Sequence, residues 1–478
     1  MESEREQESI SKTADLTELV IAALSHLASS RLATEHQPFV PSEHSPSDLR
    51  RELGIALAEH GSSLEELVHK LERILAATPS SSSRRFFNQL FGGRDPAGLL
   101  AEMLTPLANS SMYTYKVAGP AVLIEREVIA RALQKLGYLE GEGMFSPGGS
   151  LSNLTAMLIA RNEKLGDVRE TGLEGRGQRL TVYLSDQGHY SIRKSAGMLG
   201  LGRNNVRLVP TDANGSMDRA AARHLIERDR RGGATPFMLV ATTGTTVLGA
   251  FDPITELADL AREFDMWLHV DGAFGGSVML CDEYRHLIEG AGRSDSFTWN
   301  AHKMMGVPLS CSMLLVSRRG LLRKHLDEPA EYLFQSDDTD LDPGRRSIQC
   351  GRRNDALKLW AAWQLHGDAG FARRIERQFA VARRFTSMIE NDPELILAKP
   401  PQSINVCFRV KGKSSRDICT LLDRTGRLKI GFGTVDGRDV IRMVCVNPDV
   451  AERDLRTVLE EIKSAAAELP PTSDAPAG

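Results

Sequence analysis

The sequence predicts an α/β fold built round a mainly parallel sheet. Between about 95 and 330, short β-rich runs alternate with helical segments such as PITELADLAREFD. Several of those runs are apolar on both alternations, as strands covered by helices on both faces must be. At 478 residues, with 41% hydrophobic and 26% charged residues, the chain is long enough for a large core and more than one domain.

Residues 1–14 read as a disordered tail and 15–94 as an N-terminal helical segment. In the latter, ADLTELVIAALSHLASSR and SSLEELVHKLERILAA carry apolar residues at helical spacing. Ser62 with Glu65 makes a capping-box start for the second, whose stripe is Leu64, Leu67, Val68, Leu71, Ile74 and Leu75. Such a stripe must be buried against its own chain or a partner subunit. A large α/β domain is expected over 95–350. Its strands are RLTVYLSD (179–186), NVRLVPTD (205–212), PFMLVATTG (236–244), MWLHVDGA (266–273), SFTWNAHK (296–303) and CSMLLVS (311–317). The polar stretch 334–347, FQSDDTDLDPGRRS, has almost nothing apolar to anchor it and is expected to be mobile. A helix from about 354 to 392 leads into a small α+β domain within 351–469. That domain contains NVCFRV, DVIRMVCVNP after an Asp436-Gly437 turn, and the helix ERDLRTVLEEIKSAAAEL; 470–478 reads as a second disordered tail.

Bulk properties narrow the function classes. A formal net charge of −4 gives no reason to expect nucleic acid or an anionic membrane as partner. The six cysteines contain no CxxC pair, so neither a zinc site nor a disulfide framework is expected. MESEREQESISK lacks the basic start and apolar run of a signal peptide, and no stretch approaches the roughly 20 apolar residues that span a bilayer. A soluble cytoplasmic enzyme acting on small molecules is the expectation.

Chemistry gathers at strand ends. Asp271 ends the apolar run LHVDGA, and Lys303 of TWNAHKMMG follows 32 residues later at the end of another. In an open α/β sheet the carboxyl ends of the strands share one edge, where ligands bind. An acid and a lysine at that edge suit pyridoxal 5'-phosphate (PLP): the lysine bonds its aldehyde, and the acid keeps the ring nitrogen protonated. FSPGGSLSNLTAMLIAR leads Gly149 and Ser150 into a helix with apolar Leu154, Met157 and Leu158, a start suited to a phosphate. His189 follows a strand, where its ring could stack on the cofactor, and Asn300 and His302 flank the lysine. Each feature alone has a bland reading as a cap, a turn or a structural histidine. Their order does not.

With FSPGGS, DQGHY, HVDGAF and TWNAHKMMGVPLSCS in that order, the chain resembles the group II PLP-dependent amino-acid decarboxylases, from about residue 84 to 465. The resemblance implies an aspartate-aminotransferase-like fold (fold type I) and an obligate homodimer with active sites at the subunit interface. It implies Lys303 as the Schiff-base lysine, Asp271 as the ring-nitrogen partner, His189 as the stacking group and Ala273 on the ring's other face. Gly149, Ser150, Asn300 and His302 match phosphate-side positions, and Thr246 a position near the cofactor.

The strings RRFFNQLFGGRDPAGLLAEMLT, ANSSMYTY, SIQCGRRNDALKLW and NVCF are most similar to the glutamate, cysteine-sulfinate and aspartate decarboxylases. By that likeness Gln89 and Arg442 receive the substrate's second acid, a task that the planar guanidinium fork suits. Ser111 and Tyr113 favour cysteine sulfinate or aspartate over glutamate, though Lys116 inverts a charge that relatives carry as Glu. The expected activity is therefore α-decarboxylation of a small acidic amino acid to the amine and CO2.

One departure opens an alternative. Relatives return a proton to Cα from a tyrosine on the loop after YLFQ. Here that loop contains neither Tyr nor His; Thr339 falls near the expected place, and Tyr332 lies earlier, within YLF. Loss of that tyrosine accompanies, in related enzymes, O2-dependent oxidative deamination to an aldehyde.

Overall fold

The six apolar runs become strands of one seven-stranded sheet in the computed structural model, which describes residues 2–34, 36–39, 45–330, 332–334 and 339–471. The strands are β1 (Glu142–Ser146), β2 (Arg179–Ser185), β3 (Val206–Val209), β4 (Ala234–Thr242), β5 (Trp267–Gly272), β6 (Ser296–Asn300) and β7 (Ser312–Val316), in spatial order β1-β7-β6-β5-β4-β2-β3. From β6 to β3 all pairs are parallel, whereas β7 runs antiparallel to both of its neighbours.

Burial on both faces explains the continuous apolar runs. Leu239 and Ala241 of β4 join one core, and Met238 and Val240 between them join the other. Met313 and Leu315 of β7 divide from Leu314 and Val316 in the same way. The short β1 carries no sequence signal, since it is EGMFS with a glycine at its second position. Gly143 is required there, because a Cβ would sit 2.7 Å from Leu315 Cδ2 and 3.0 Å from the Leu314 carbonyl.

The small domain is a four-stranded antiparallel sheet of β8 (Leu395–Leu397), β9 (Asn405–Val410), β10 (Gly431–Val435) and β11 (Arg438–Val444), in order β10-β11-β9-β8, with the helix Glu452–Glu468. Asp436 and Gly437 both take positive φ (49° and 74°), the requirement of the two-residue turn joining β10 to β11. The connecting helix, Ala356–Glu390, breaks at Gly367, whose φ of 59° and ψ of −178° are not helical. Residues 85–88, expected within the N-terminal helical segment, instead lie against the small domain. Phe87 N donates to Lys429 O, and Val444 N donates to Phe87 O.

Three local expectations are corrected. Residues 2–14, read as a tail, continue the helix Glu2–Thr34. The cap of the helix Leu64–Ala77 is Ser63 with Glu66, one residue later than the overlapping Ser62–Glu65 frame. Residues 339–347, expected to be mobile, form two short turns in which Asp342 and Gly344 are buried; 335–338 fall outside the described residues, as does 472–478 of the expected C-terminal tail. The stripe of the helix Leu64–Ala77 has no buried residue, and Leu67, Leu71 and Ile74 stay exposed. Among the described residues no helix is long and apolar enough to cross a membrane.

Candidate active site

Parallel register sets Thr242, Asp271 and Thr298 side by side at the carboxyl ends of β4, β5 and β6. The helix Gly149–Leu165 begins at the same edge, following a Gly148 with φ 103° and lacking any side-chain cap. Its first amides and positive dipole end are thus left to an anion. Between these elements lies a cavity of about 220 Å3. Gly149, Ser150, His189, Thr246, Asp271, Ala273, Asn300 and Lys303 line it, with Leu90, Asn153, Tyr190, Thr242, Gly244 and Phe274.

The amine of Lys303 is withdrawn from water. Burial lowers its pKa, and the nearby Asp271 opposes that shift. Among the described residues no carboxylate comes within ion-pair distance of it. A desolvated amine with an unprotonated fraction is the nucleophile an aldehyde needs. The two methionines after it are core anchors: Met304 and Met305 are fully buried, and Met304 O accepts from Arg374 Nε (2.8 Å) and Gln378 Nε2 (2.7 Å).

Asp271 is 4% exposed and held by a chain of donors whose direction is forced. The indole of Trp267 can only donate, and it does so to Ser296 Oγ (2.8 Å). At the other end Asn153 gives its Nδ2 to Asp271 Oδ2 (2.8 Å), so its Oδ1 faces His269 Nε2 (3.0 Å); the proton of the neutral imidazole then sits on Nε2 and Nδ1 accepts from Ser296 Oγ (2.8 Å). Asn153 Oδ1 also accepts from Thr298 Oγ1 (2.9 Å). Burial pushes His269 down to about 4, which keeps the relay neutral. Asp271 Oδ1 accepts from Ala273 N (3.2 Å). Both oxygens thus accept hydrogen bonds from fixed donors.

His189 is fixed by the same network. Its Nδ1 lies 2.9 Å from Ser191 Oγ and accepts from Ser191 N (3.3 Å), and Ser191 Oγ itself accepts from Asn153 Nδ2 (3.0 Å). The Ser191 hydroxyl proton is thereby directed to Nδ1, and the ring's own proton sits on Nε2. Burial lowers its pKa, Asp271 counteracts this and Lys303 adds to it.

A phosphorylated aldehyde fits these residues. A Cβ at Gly149 would stand 2.9 Å from Asn300 Nδ2 and 3.4 Å from Ala273 Cβ, so only glycine leaves the cradle open. Thr242 Oγ1, on the cavity lining, is buried without a hydrogen-bond partner.

Five expected site residues lie elsewhere. His302 turns away from the cavity: its Nδ1 lies 2.9 Å from Cys311 O and 3.0 Å from Cys311 N, and Asn300 Nδ2 stands 3.5 Å from its Nε2. It backs Asn300 without lining the site. The reason is β7, which places Ser312 opposite Asn300, so that Ser312 Oγ donates to Asn300 Oδ1 (2.6 Å). Arg442 stands behind the rim, donating through Nη1 to Thr246 O (3.0 Å) and through Nη2 to Asn88 O, while its Nε is buried without a partner. Gln89 is exposed. Ser111 and Tyr113 pack against Arg352, Gly344 and Phe334 of their own chain, with Tyr113 stacked on Phe334 (centroids 5.3 Å apart). The residue that sequence reading missed is Asn153, one helical turn beyond Gly149. Its only signal was that spacing, which repeats a helix face.

Residues 46–411 match the pyridoxal-dependent decarboxylase conserved domain. The chain is 37% identical to the cysteine sulfinic acid decarboxylase of Mus musculus, over 89% of this chain and 90% of that protein. It is 36% identical to the acidic amino acid decarboxylase GADL1 of Mus musculus, over 89% and 81% respectively. The crystal structure of mouse CSAD superposes with a TM-score of 0.89 at 34% identity, covering 95% of this chain and 100% of that one. A buried lysine, a donor-saturated aspartate and an uncapped helix start around one cavity thus occur in a chain that belongs to the pyridoxal-dependent decarboxylases, PLP enzymes of the carboxy-lyase class.

Proposed function

We propose that this enzyme removes the α-carboxylate of a small acidic amino acid, cysteine sulfinate or aspartate in preference to glutamate, and works as a homodimer. The observation that carries the reading is the convergence of Lys303, Asp271 and His189 on one cavity with the cation Arg442 behind its rim. The two relatives named above act on acidic amino acids, one of them cysteine sulfinic acid.

When bound, PLP supplies an electron sink for the pair left behind as CO2 departs. Lys303 would bond its aldehyde, Asp271 would keep the ring nitrogen protonated, and His189 and Ala273 would lie against the ring. The amides of Gly149 and Ser150, with Asn300 backed by His302, would receive the phosphate, and Thr246 would lie near it. Alanine at position 149 would overpack that cradle, at a cost of about 1–3 kcal/mol. Gly149→Ala is therefore expected to weaken PLP binding by roughly tenfold to a hundredfold, read by titrating the apoenzyme with PLP. Unchanged affinity would remove the phosphate role.

Arg442 uses only two of its five N–H donors on backbone carbonyls, and among the described residues no carboxylate pairs with it. Those spare donors support the reading of Arg442, with Gln89, as the receiver of the substrate's second acid. Arg442→Ala is expected to raise KM for aspartate and cysteine sulfinate by about 10–100-fold, the worth of a charge-assisted hydrogen bond. An equal loss on a neutral amino acid would show that Arg442 does not read the side-chain acid. Exposed Leu100, Leu104, Leu107 and Leu309 favour a second subunit, which would bring Ser111 and Tyr113 to a neighbouring site.

A second reading rests on the segment 334–347, which has no tyrosine or histidine to return a proton to Cα. His189, whose Nε2 carries a proton on the cavity wall, is one substitute; without a fast donor, O2 can intervene and give an aldehyde. Turnover of aspartate, cysteine sulfinate and glutamate, with CO2, O2 and hydrogen peroxide followed together, separates the two. CO2 release without O2 uptake eliminates the oxidase reading, and stoichiometric O2 uptake eliminates the simple decarboxylase.

A further inference from the structure

Among the described residues, the long-range hydrogen bonds of the segment 111–115 are made with 342–352. Met112 N donates to Arg352 O (2.8 Å), and Arg352 N donates to Ser111 Oγ (3.3 Å). Arg352 is itself locked by a buried two-pronged ion pair with Glu125 (2.7 and 2.8 Å). Gly344 N donates to Tyr113 O (2.8 Å), and Tyr115 N donates to Oδ1 of Asp342 (2.9 Å), which is 2% exposed.

Side chains repeat the pattern. Tyr113 stacks on Phe334, and the Arg345 guanidinium lies 4.1 Å from the Phe334 ring centre while pairing with Asp327 (3.0 Å). The Tyr113 ring also rests directly on Gly344: a Cβ there would fall 2.5, 2.6 and 2.8 Å from three of its carbons. Gly344 has no left-handed φ, so space alone demands glycine at this position. Phe334 and Gly344 therefore both rest on the Tyr113 ring.

We propose that Gly344 and Asp342 are specificity-positioning residues: they set the place of the Tyr113 ring and through it the choice among acidic substrates. The inference rests on the reading of Tyr113 as a substrate-facing residue and deepens it. A ring displaced by about 1 Å is enough to alter binding many-fold.

The test uses the PLP-loaded full chain and compares KM and kcat for cysteine sulfinate, aspartate and glutamate. Gly344→Ala is expected to raise KM for cysteine sulfinate about tenfold relative to glutamate, with kcat and the visible cofactor absorbance unchanged. Asp342→Ala should shift the ratio in the same direction, and Asp342→Asn, which keeps an oxygen for Tyr115 N, should restore it; this pair decides the matter if Gly344→Ala does not fold. On a Tyr113→Ala background, Gly344→Ala should add less than twofold. If Tyr113→Ala changes the ratio while Gly344→Ala and Asp342→Ala do not, the positioning role is overturned and the reading of Tyr113 stands. A Gly344→Ala effect of full size on the Tyr113→Ala background overturns it too. If Tyr113→Ala itself leaves every KM unchanged, the reading of Tyr113 falls and this inference falls with it.

Discussion

Lys303→Ala is expected to reduce decarboxylation by at least about 10³-fold, roughly 4 kcal/mol of barrier, and to abolish the visible absorbance of the lysine-bound cofactor. The cavity contains one buried amine, and its surroundings are built to keep it uncharged long enough to bond an aldehyde. Burial lowers its pKa while the fixed negative charge of Asp271 limits the fall. The backbone on its C-terminal side is clamped by Arg374 and Gln378 on Met304 O. PLP should still enter the variant, because the helix start at Gly149 is untouched, and a phosphate-dependent rise in melting temperature should remain. Steady-state activity within tenfold of the parent would remove Lys303 from the chemistry.

Asp271→Asn should lower kcat by about 10²–10³, the scale seen when one preorganised charge partner is removed from a dry site. An amide there cannot hold a proton on a ring nitrogen by charge. The substitution also conflicts with the relay behind it: Asn153 Nδ2 donates to Asp271 Oδ2 and Ala273 N donates to Oδ1, so one face of the new amide would meet a donor with a donor. The loss should appear in kcat with each substrate alike, together with a changed absorbance of the bound cofactor. A loss in KM for acidic substrates only would mean that Asp271 faces the substrate and not the ring.

Much of the site is legible in the sequence because its members sit where local rules are strong. Gly149 and Ser150 open a helix, Asp271 closes an apolar strand, and Lys303 follows another, so the switch from one element to the next announces them. Asn153 was hidden for the opposite reason. It lies inside a helix whose periodicity points to Leu154, Met157 and Leu158 as the buried stripe. In the folded chain Leu154 and Leu158 are only half-buried, while Ser152, Asn153 and Thr155 are buried. That helix packs its polar face on β5 and β6, where Asp271 and Thr298 supply hydrogen-bond partners. The burial of a polar face could not be inferred without those partners. The displacement of His302 has a similar origin, since it depends on an antiparallel neighbour, β7, whose direction no periodicity encodes.

The sequence by itself determined the α/β class, the strands that end at the site and the lysine–aspartate pair, because these follow from apolar runs, turns and residue chemistry within short windows. The tertiary structure alone decided the proton direction through Trp267, Ser296, His269 and Asn153, the withdrawal of His302 and the fastening of Tyr113 to Gly344. These contacts join residues far apart in the chain, where pairing is set by how elements pack and which donors meet which acceptors, and no local pattern carries that information.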